Sequence, residues 1–461
     1  MHFVFSAVFF YLFTTTHAQL AGTQTPENRP KLDIQNCTKA GCTKISSSVT
    51  LDANWRWLHS ASNSTNCYKG QDWDKSLCPN GEACAANCAL DGADYTGTYG
   101  ITTTGDGLKM KFISHGPYSV NVGSRVYLMD GDDKYAIFKL KNQEFSFDVD
   151  VSNLPCGLNG ALYFAEMDPD GGKEKYPSNK AGAKYGTGYC DAQCPHDVKF
   201  IGGKANLENW VPSKTDINSG TGKLGSCCAE FDVWEANSVS QAFTSHSCTS
   251  KGPTICEGKA CGDTPDNRYG GHCDKDGCDY ATYRLGQKDF YGPNKTIDTT
   301  KKITVVTQFI THDNKTTGHL VEIRRLYLQD GKLIKNVRSG FKPLDRFDSI
   351  SKKFCKAEKK LFGDKDDFSA KGGLKSMGRS MERGMVLVLS LWDDHTANMI
   401  WLDSNDPQDK NASLPGVARG TCDATSGDPK VVESKFPDAS VEYSNIKFGE
   451  LHSTYGNDQK S

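Results

Sequence analysis

Eighteen cysteines lie between Cys37 and Cys422 of this 461-residue chain, and how they are used limits its fold more than any other feature. The first residues indicate that use. After Met1-His2, an apolar run over residues 3–13 leads to Thr14-Thr15-Thr16-His17-Ala18, the layout of a secretory signal peptide with a small residue at the cleavage point. The run is too short to span a bilayer, and no later stretch supplies about eighteen uninterrupted apolar residues. We therefore expect a signal peptide over residues 1–18 and a secreted, extracellular product beginning at Gln19, with no membrane partner. An even cysteine count on that route predicts disulfides. Zinc is the competing use, but Cys190-x-x-x-Cys194 and Cys273-x-x-x-x-Cys278 lack paired C-x-x-C spacing and no histidine pair completes a site. No metal site is expected. Sequons at Asn36, Asn63, Asn294, Asn314 and Asn411 are candidate glycosylation sites and fit export.

Between the cysteines, period-two alternation recurs. Leu108, Met110 and Phe112 alternate with lysines after the turn Gly105-Asp106-Gly107, and Phe145, Phe147, Val149 and Val151 alternate with Ser146, Asp148 and Asp150. Each pattern predicts a strand with one buried and one wet face. Asp330-Gly331 between apolar runs signals a hairpin, and the nearly unbroken apolar run over residues 385–391 predicts a strand covered on both faces. Helical patterns are few: residues 352–362, stopped by Gly363, and 374–383, stopped by Gly384. Forty-five glycines, with many Asn, Asp, Ser and Thr residues, imply long loops. An all-β, antiparallel β-sandwich fits best. No repeat or Pro/Ser/Thr-rich linker divides the chain, so one domain over residues 19–448 is expected, followed by a short polar tail over 449–461. The balance of 54 basic against 56 acidic residues excludes a nucleic-acid partner.

The densest chemistry is in Glu230-Phe231-Asp232-Val233-Trp234-Glu235, which follows Cys227-Cys228. Three carboxylates broken by bulky apolar residues suit a buried strand that separates their pKa values; the alternative is a wet strand edge decorated with acids. Glu230 and Asp232 share a face. Glu235, five residues from Glu230, would point to the opposite face of an ideal strand, with its Cα roughly 16 Å away. Both glutamates can serve one site only if a bulge between Asp232 and Glu235 flips the parity. Retaining glycoside hydrolysis is one chemistry that uses two such carboxyls, with Asp232 orienting the nucleophile or sharing its proton. Trp55-Arg56-Trp57 and the pair Trp392 and Trp401 offer flat platforms suited to sugar rings, although core filling is the other use of tryptophan.

With these motifs the chain closely resembles the family 7 glycoside hydrolases, and in particular their cellobiohydrolase branch. The resemblance covers residues 19–448 and rests on Asp52-Ala53-Asn54-Trp55-Arg56-Trp57, on the run Leu154-Pro155-Cys156-Gly157-Leu158-Asn159-Gly160-Ala161-Leu162-Tyr163-Phe164, on Tyr185-Gly186-Thr187-Gly188-Tyr189-Cys190-Asp191 and on Asp266-Asn267-Arg268-Tyr269-Gly270-Gly271. It implies a jelly-roll, concanavalin-like sandwich whose loops close over a substrate tunnel. It further implies Glu230 as nucleophile, Glu235 as acid/base, Asp232 as the nucleophile's partner and His246 beside the catalytic centre. Trp55, Trp57, Trp392 and Trp401 match sugar-stacking positions, and Asn159, Tyr163, Asp191 and Gln193 match positions lining the middle of the tunnel. Arg268, Asp276, Asp279, Arg284 and Arg419 match the product end. For the polar members, a structural salt bridge is the alternative.

The same resemblance implies the pairing Cys37–Cys42, Cys67–Cys88, Cys78–Cys84, Cys156–Cys422, Cys190–Cys228, Cys194–Cys227, Cys248–Cys273, Cys256–Cys261 and Cys278–Cys355. Its implied activity is that of a secreted retaining cellulase releasing cellobiose from cellulose chain ends, with cellulose, cello-oligosaccharides and cellobiose as partners. A monomer needing no cofactor is implied, without a cellulose-binding module after residue 448. Loops over residues 204–226, 248–273 and 367–384 favour the tunnel form over the open-cleft endoglucanase of the same family, and a non-catalytic lectin-like sandwich is the reading from another class. Two departures temper the tunnel: the shortened Gly262-Asp263-Thr264-Pro265-Asp266 lacks a tyrosine at its tip, and His395-Thr396 replaces an aromatic pair. Both predict a roof that opens more readily.

Overall fold

The computed structural model describes residues 19–455; the expected signal peptide and residues 456–461 lie outside that range. Two large sheets form the molecule. One has ten strands, with the path Gly41–Ile45, Ile34–Thr38, Ser440–Glu450, Gln143–Asp150, Ile303–Thr311, Leu320–Gln329 and Lys332–Lys335. The other has nine, with the path Lys134–Tyr135, Ser124–Asp130, Met385–Asp393, Leu158–Ala165, Glu230–Ala236, Gln241–His246 and Cys278–Asp279. The central pairs of both are antiparallel.

The alternating residues become the layer between the sheets. Phe145, Phe147 and Val149 from the first sheet meet Leu162, Phe164, Phe231, Trp234, Leu387, Leu389 and Leu391 from the second, all without solvent exposure. At about 1.5–3 kcal/mol for each such side chain buried, this layer is the main driving force for the fold. Because side chains alternate, Ala161, Tyr163, Ala165, Val386 and Val388 must lie on the opposite, outer face of the nine-stranded sheet, and there they form a second cluster.

Both anticipated helices form, as Lys352–Phe362 and Gly373–Arg383. Ser351 caps the first at its start, and Gly363 ends it at φ 77°, a left-handed conformation that glycine adopts without steric cost. The anticipated hairpin joins Leu320–Gln329 to Lys332–Lys335, with Asp330 and Gly331 both at positive φ. All nine expected disulfides are present and no described cysteine is free. The final strand runs past residue 448, and beyond it the backbone N–H groups of Ser453 and Thr454 donate to the buried Glu144 carboxylate. The five sequon asparagines are all exposed. Among the described residues no helix is long and apolar enough to cross a membrane.

Candidate active site

The acidic strand Glu230–Ala236 sits between Leu158–Ala165 and Gln241–His246. Its register begins with Glu230 opposite Ala165 and Asp232 opposite Tyr163, then slips so that Trp234 faces Leu162 and Glu235 faces Ala161. The other neighbour records the same slip, with Asp232 opposite Thr244 but Glu235 opposite Ala242. Val233 is the extra residue of a β-bulge, which resets the parity as the spacing of the acids requires. Phe231, Val233 and Trp234 all enter the core, while the three carboxylates share the outer face with Ala161, Tyr163 and Ala165.

Each acid has its own surroundings. Glu230 is buried and accepts the Ala192 N–H at 3.0 Å. The loop carrying Ala192 is held against the start of the acidic strand by Cys190–Cys228 and Cys194–Cys227. It is further held by the Cys228 N–H, which donates to the Asp191 carbonyl at 3.0 Å. Asp232 is buried with His246 Nε2 at 3.1 Å. His246 Nδ1 lies 2.9 Å from the Asp274 carbonyl, an acceptor only, so Nδ1 carries a proton and Nε2 faces the acid. Glu235 is half-buried, and its Oε1 accepts the Asn159 side-chain N–H at 3.1 Å. Asn159 is oriented in turn by accepting the Ala236 N–H at 3.0 Å.

These environments push all three acids upward. Burial, then the charges of Asp232 and Asp191, hold Glu230 well above the ordinary carboxylate range. Burial and the charge of Glu235 do the same to Asp232. Glu235 is raised to about 7, chiefly by burial, against the opposing pull of His246 and Asn159. Neighbouring acids that cannot all ionise share protons. The Ala192 N–H favours negative charge on Glu230, whereas Glu235 is poised to hold and release a proton near neutrality.

The remaining anticipated residues divide into those around this cluster and those engaged elsewhere. Trp392 lies directly across from Asn159 on the neighbouring strand, and its ring stacks with Trp401 at 6.2 Å between centroids. Asp191 accepts the Tyr189 hydroxyl at 2.7 Å, and that hydroxyl meets Tyr163 Oη at 2.9 Å. Gln193 is exposed and reaches the Lys275 carbonyl at 2.8 Å. Trp55 and Trp57 are half-buried, with indole N–H groups donating to the Val122 carbonyl and the Asn66 side chain.

Arg268 pairs with Asp276 at 2.6 Å and Arg419 with Asp406 at 3.2 Å. Asp279 lies across from Thr244 on the strand beyond His246. Its partner Arg284 is only 4 % exposed, and bonds Asp279, Glu358, Asp364 and the Gly416 carbonyl. Arg284 thus reaches the site through Asp279, with its own N–H groups turned to protein acceptors.

Several contributors carried no side-chain signal in the sequence. The Ala192 donor is a backbone group brought in by disulfides. Arg125, stacked on Tyr189 at 3.3 Å and paired with Asp52 at 2.9 Å, is a strand residue of ordinary appearance. Its partners Tyr189 and Asp52 belong to the sequence motifs, but Ala192 and Arg125 lie outside them.

A β-sandwich whose outer face carries paired glutamates in unlike surroundings, with indole rings alongside, defines a glycoside hydrolase of the sandwich class. The family model described as glycosyl hydrolase family 7 matches residues 21–455, and the chain belongs to that family. It is 53 % identical to a family 7 cellobiohydrolase from Daphnia pulex, covering 95 % of this chain and 100 % of that one at a TM-score of 0.93. It is 47 % identical to the cellobiohydrolase from Melanocarpus albomyces solved with cellotetraose, covering 95 % and 99 % at 0.90. The endocellulase EGI of Humicola insolens is more distant, at 36 % identity over 94 % and 99 % with a TM-score of 0.79.

Proposed function

We propose that the protein is a secreted, monomeric, retaining cellulase that releases cellobiose from cellulose chain ends. The observation that carries this reading is the Val233 bulge, which brings Glu230 and Glu235 to one face in different electrostatic surroundings. In this proposal Glu235, protonated below about pH 7, donates its proton to the glycosidic oxygen while Glu230 attacks the anomeric carbon. The leaving sugar departs and a glycosyl ester remains on Glu230. The Glu235 carboxylate then takes a proton from water as that water attacks the same carbon, and Glu230 is released. Asp232, between Glu230 and His246, holds the proton that the crowded acids share, so that Glu230 can carry charge. His246 orients Asp232. The chemistry asks nothing of a cofactor.

Trp55, Trp57, Trp392 and Trp401 are assigned to stacking glucosyl units, with Asn159, Tyr163, Asp191 and Gln193 around the central subsites. Arg268, Asp276, Asp279 and Arg419 are assigned to the product side, where Arg284 supports Asp279. Release from chain ends is favoured by greater likeness to the cellobiohydrolases, at 53 % and 47 % identity, than to the endocellulase at 36 %. Secretion is supported by the signal-like leader and the nine disulfides among the described residues.

A 2-fluoro-cellobioside with a good leaving group tests the nucleophile directly. The peptide bearing Glu230 should gain the mass of one 2-deoxy-2-fluoro-cellobiosyl group. A label on another residue would reassign the nucleophile, and no label together with inverted product stereochemistry by NMR would overturn retention.

A further inference from the structure

Outside the carboxylate cluster, three chemistry-bearing side chains converge where the strand Met385–Asp393 ends. His395 Nε2 lies 3.5 Å from Asp393 Oδ2 and 3.6 Å from Glu433 Oε1, and the three ligand atoms all lie within 4.8 Å of one another. Its other ring nitrogen, Nδ1, is 3.0 Å from the Thr215 carbonyl. A carbonyl only accepts, so Nδ1 carries the proton and the neutral ring turns its Nε2 lone pair toward the two carboxylates. The Asp393 side chain is 95 % buried, yet its Oδ2, aimed at His395, has no hydrogen-bond partner.

Separations of 3.5 and 3.6 Å exceed a sound hydrogen bond. They match the edge of a tetrahedron, about 3.4 Å between ligand atoms, when nitrogen and oxygen lie about 2.0–2.2 Å from a central zinc. Octahedral magnesium at about 2.1 Å would draw adjacent ligands to about 3.0 Å. The other described clusters of metal-ligating side chains all draw on disulfide-bonded cysteines. His395 and Glu433 keep 22 % and 33 % side-chain exposure, which leaves a route from solvent and room for a water as fourth ligand.

We infer that Asp393, His395 and Glu433 form a zinc site that fastens the end of the Met385–Asp393 strand to the helix Pro429–Lys435. The site has no part in the proposed bond cleavage, and it departs from the sequence expectation of no metal. Through His395 Nδ1 it also braces the Thr215 loop.

The test uses the whole secreted chain, stripped with EDTA and dialysed. Titration with zinc chloride by calorimetry should give about one saturable site per chain, with a Tm that climbs with free zinc. Cobalt(II) chloride should give the strong visible bands of a tetrahedral ion. His395→Ala and Glu433→Gln should each weaken binding by more than about a hundredfold and remove those bands, a larger loss than the roughly 10–100-fold that outer-shell changes give. Glu433 lies at the surface, so its variant carries the test if His395→Ala does not fold. The absence of a saturable site, an isotherm unchanged in the variants, or equally tight binding of magnesium or calcium would each overturn the assignment.

Discussion

Glu235 is where opposing forces are most finely set: burial drives its carboxyl upward while Asn159 and His246 pull it down, leaving it at about 7. The alkaline limb of kcat should therefore fall near neutrality. Asn159→Ala removes a hydrogen bond that favours the charged form, so the limb should move to higher pH, a shift that mere loss of stability would not produce. The same titration affects folding. The native carboxyl binds its proton more tightly than the unfolded one near 4.5, so stability declines as pH rises from about 4.5 to about 7 and is level above. Glu235→Gln abolishes this loss. It should match the parent at pH 4.5 and exceed it by roughly 2–3 kcal/mol at pH 7.5 in urea unfolding. A difference that did not grow with pH would place the proton elsewhere. Glu230→Gln should lower turnover more than about a hundredfold while still binding oligosaccharide. Faster residual hydrolysis would remove Glu230 from the nucleophile role.

At the scale of the element, the bulge is the decisive irregularity, and it is supported from behind. Arg325 is wholly buried, donates to the Val233 carbonyl and lies over the rings of Trp234, Phe243 and Tyr327. Arg325→Met keeps much of the packing but removes the donor. We expect kcat to drop about ten- to a hundredfold with KM within about twofold, because the bulge sets the separation of the glutamates. An unchanged kcat would show that the bulge stands without it.

The need for this bulge was legible, because two acids five positions apart cannot share a face on a regular strand. So were the strands around Phe145 and Leu387, where alternation or continuous apolarity states how many faces are covered, and the two glycine-stopped helices. Arg325 was not, since beside the half-exposed Arg324 it reads as another strand charge. Nor were the short helices Gly81–Asn87 and Pro429–Lys435, which span too few turns to show a period. The ligands of the proposed zinc site were equally hidden, because Glu433 meets His395 only through the tertiary fold.

For the whole molecule, the loops bear on how a long polymer is handled. The 262–266 segment, which the resemblance places in the roof, is held through Asp263, whose carboxylate lies 3.2 Å from His196 Nε2 and 3.6 Å from Lys275 Nζ. Such partly exposed pairs hold weakly, on the order of 1 kcal/mol or less. The roof should open more often than one closed by aromatic packing. On crystalline cellulose, soluble cellobiose per new insoluble reducing end should accordingly be lower than for relatives with a complete roof. An equal ratio would reject the looser roof.

The neighbouring half-cystines Cys227 and Cys228 carry one last implication, for making the enzyme. Exchanging their partners would still consume every thiol, but it would twist the 190–194 loop and carry the Ala192 amide away from Glu230. Such an isomer would pass a free-sulfhydryl assay while turning over poorly. Specific activity, rather than the degree of oxidation, is therefore the proper gauge of a correctly matured preparation.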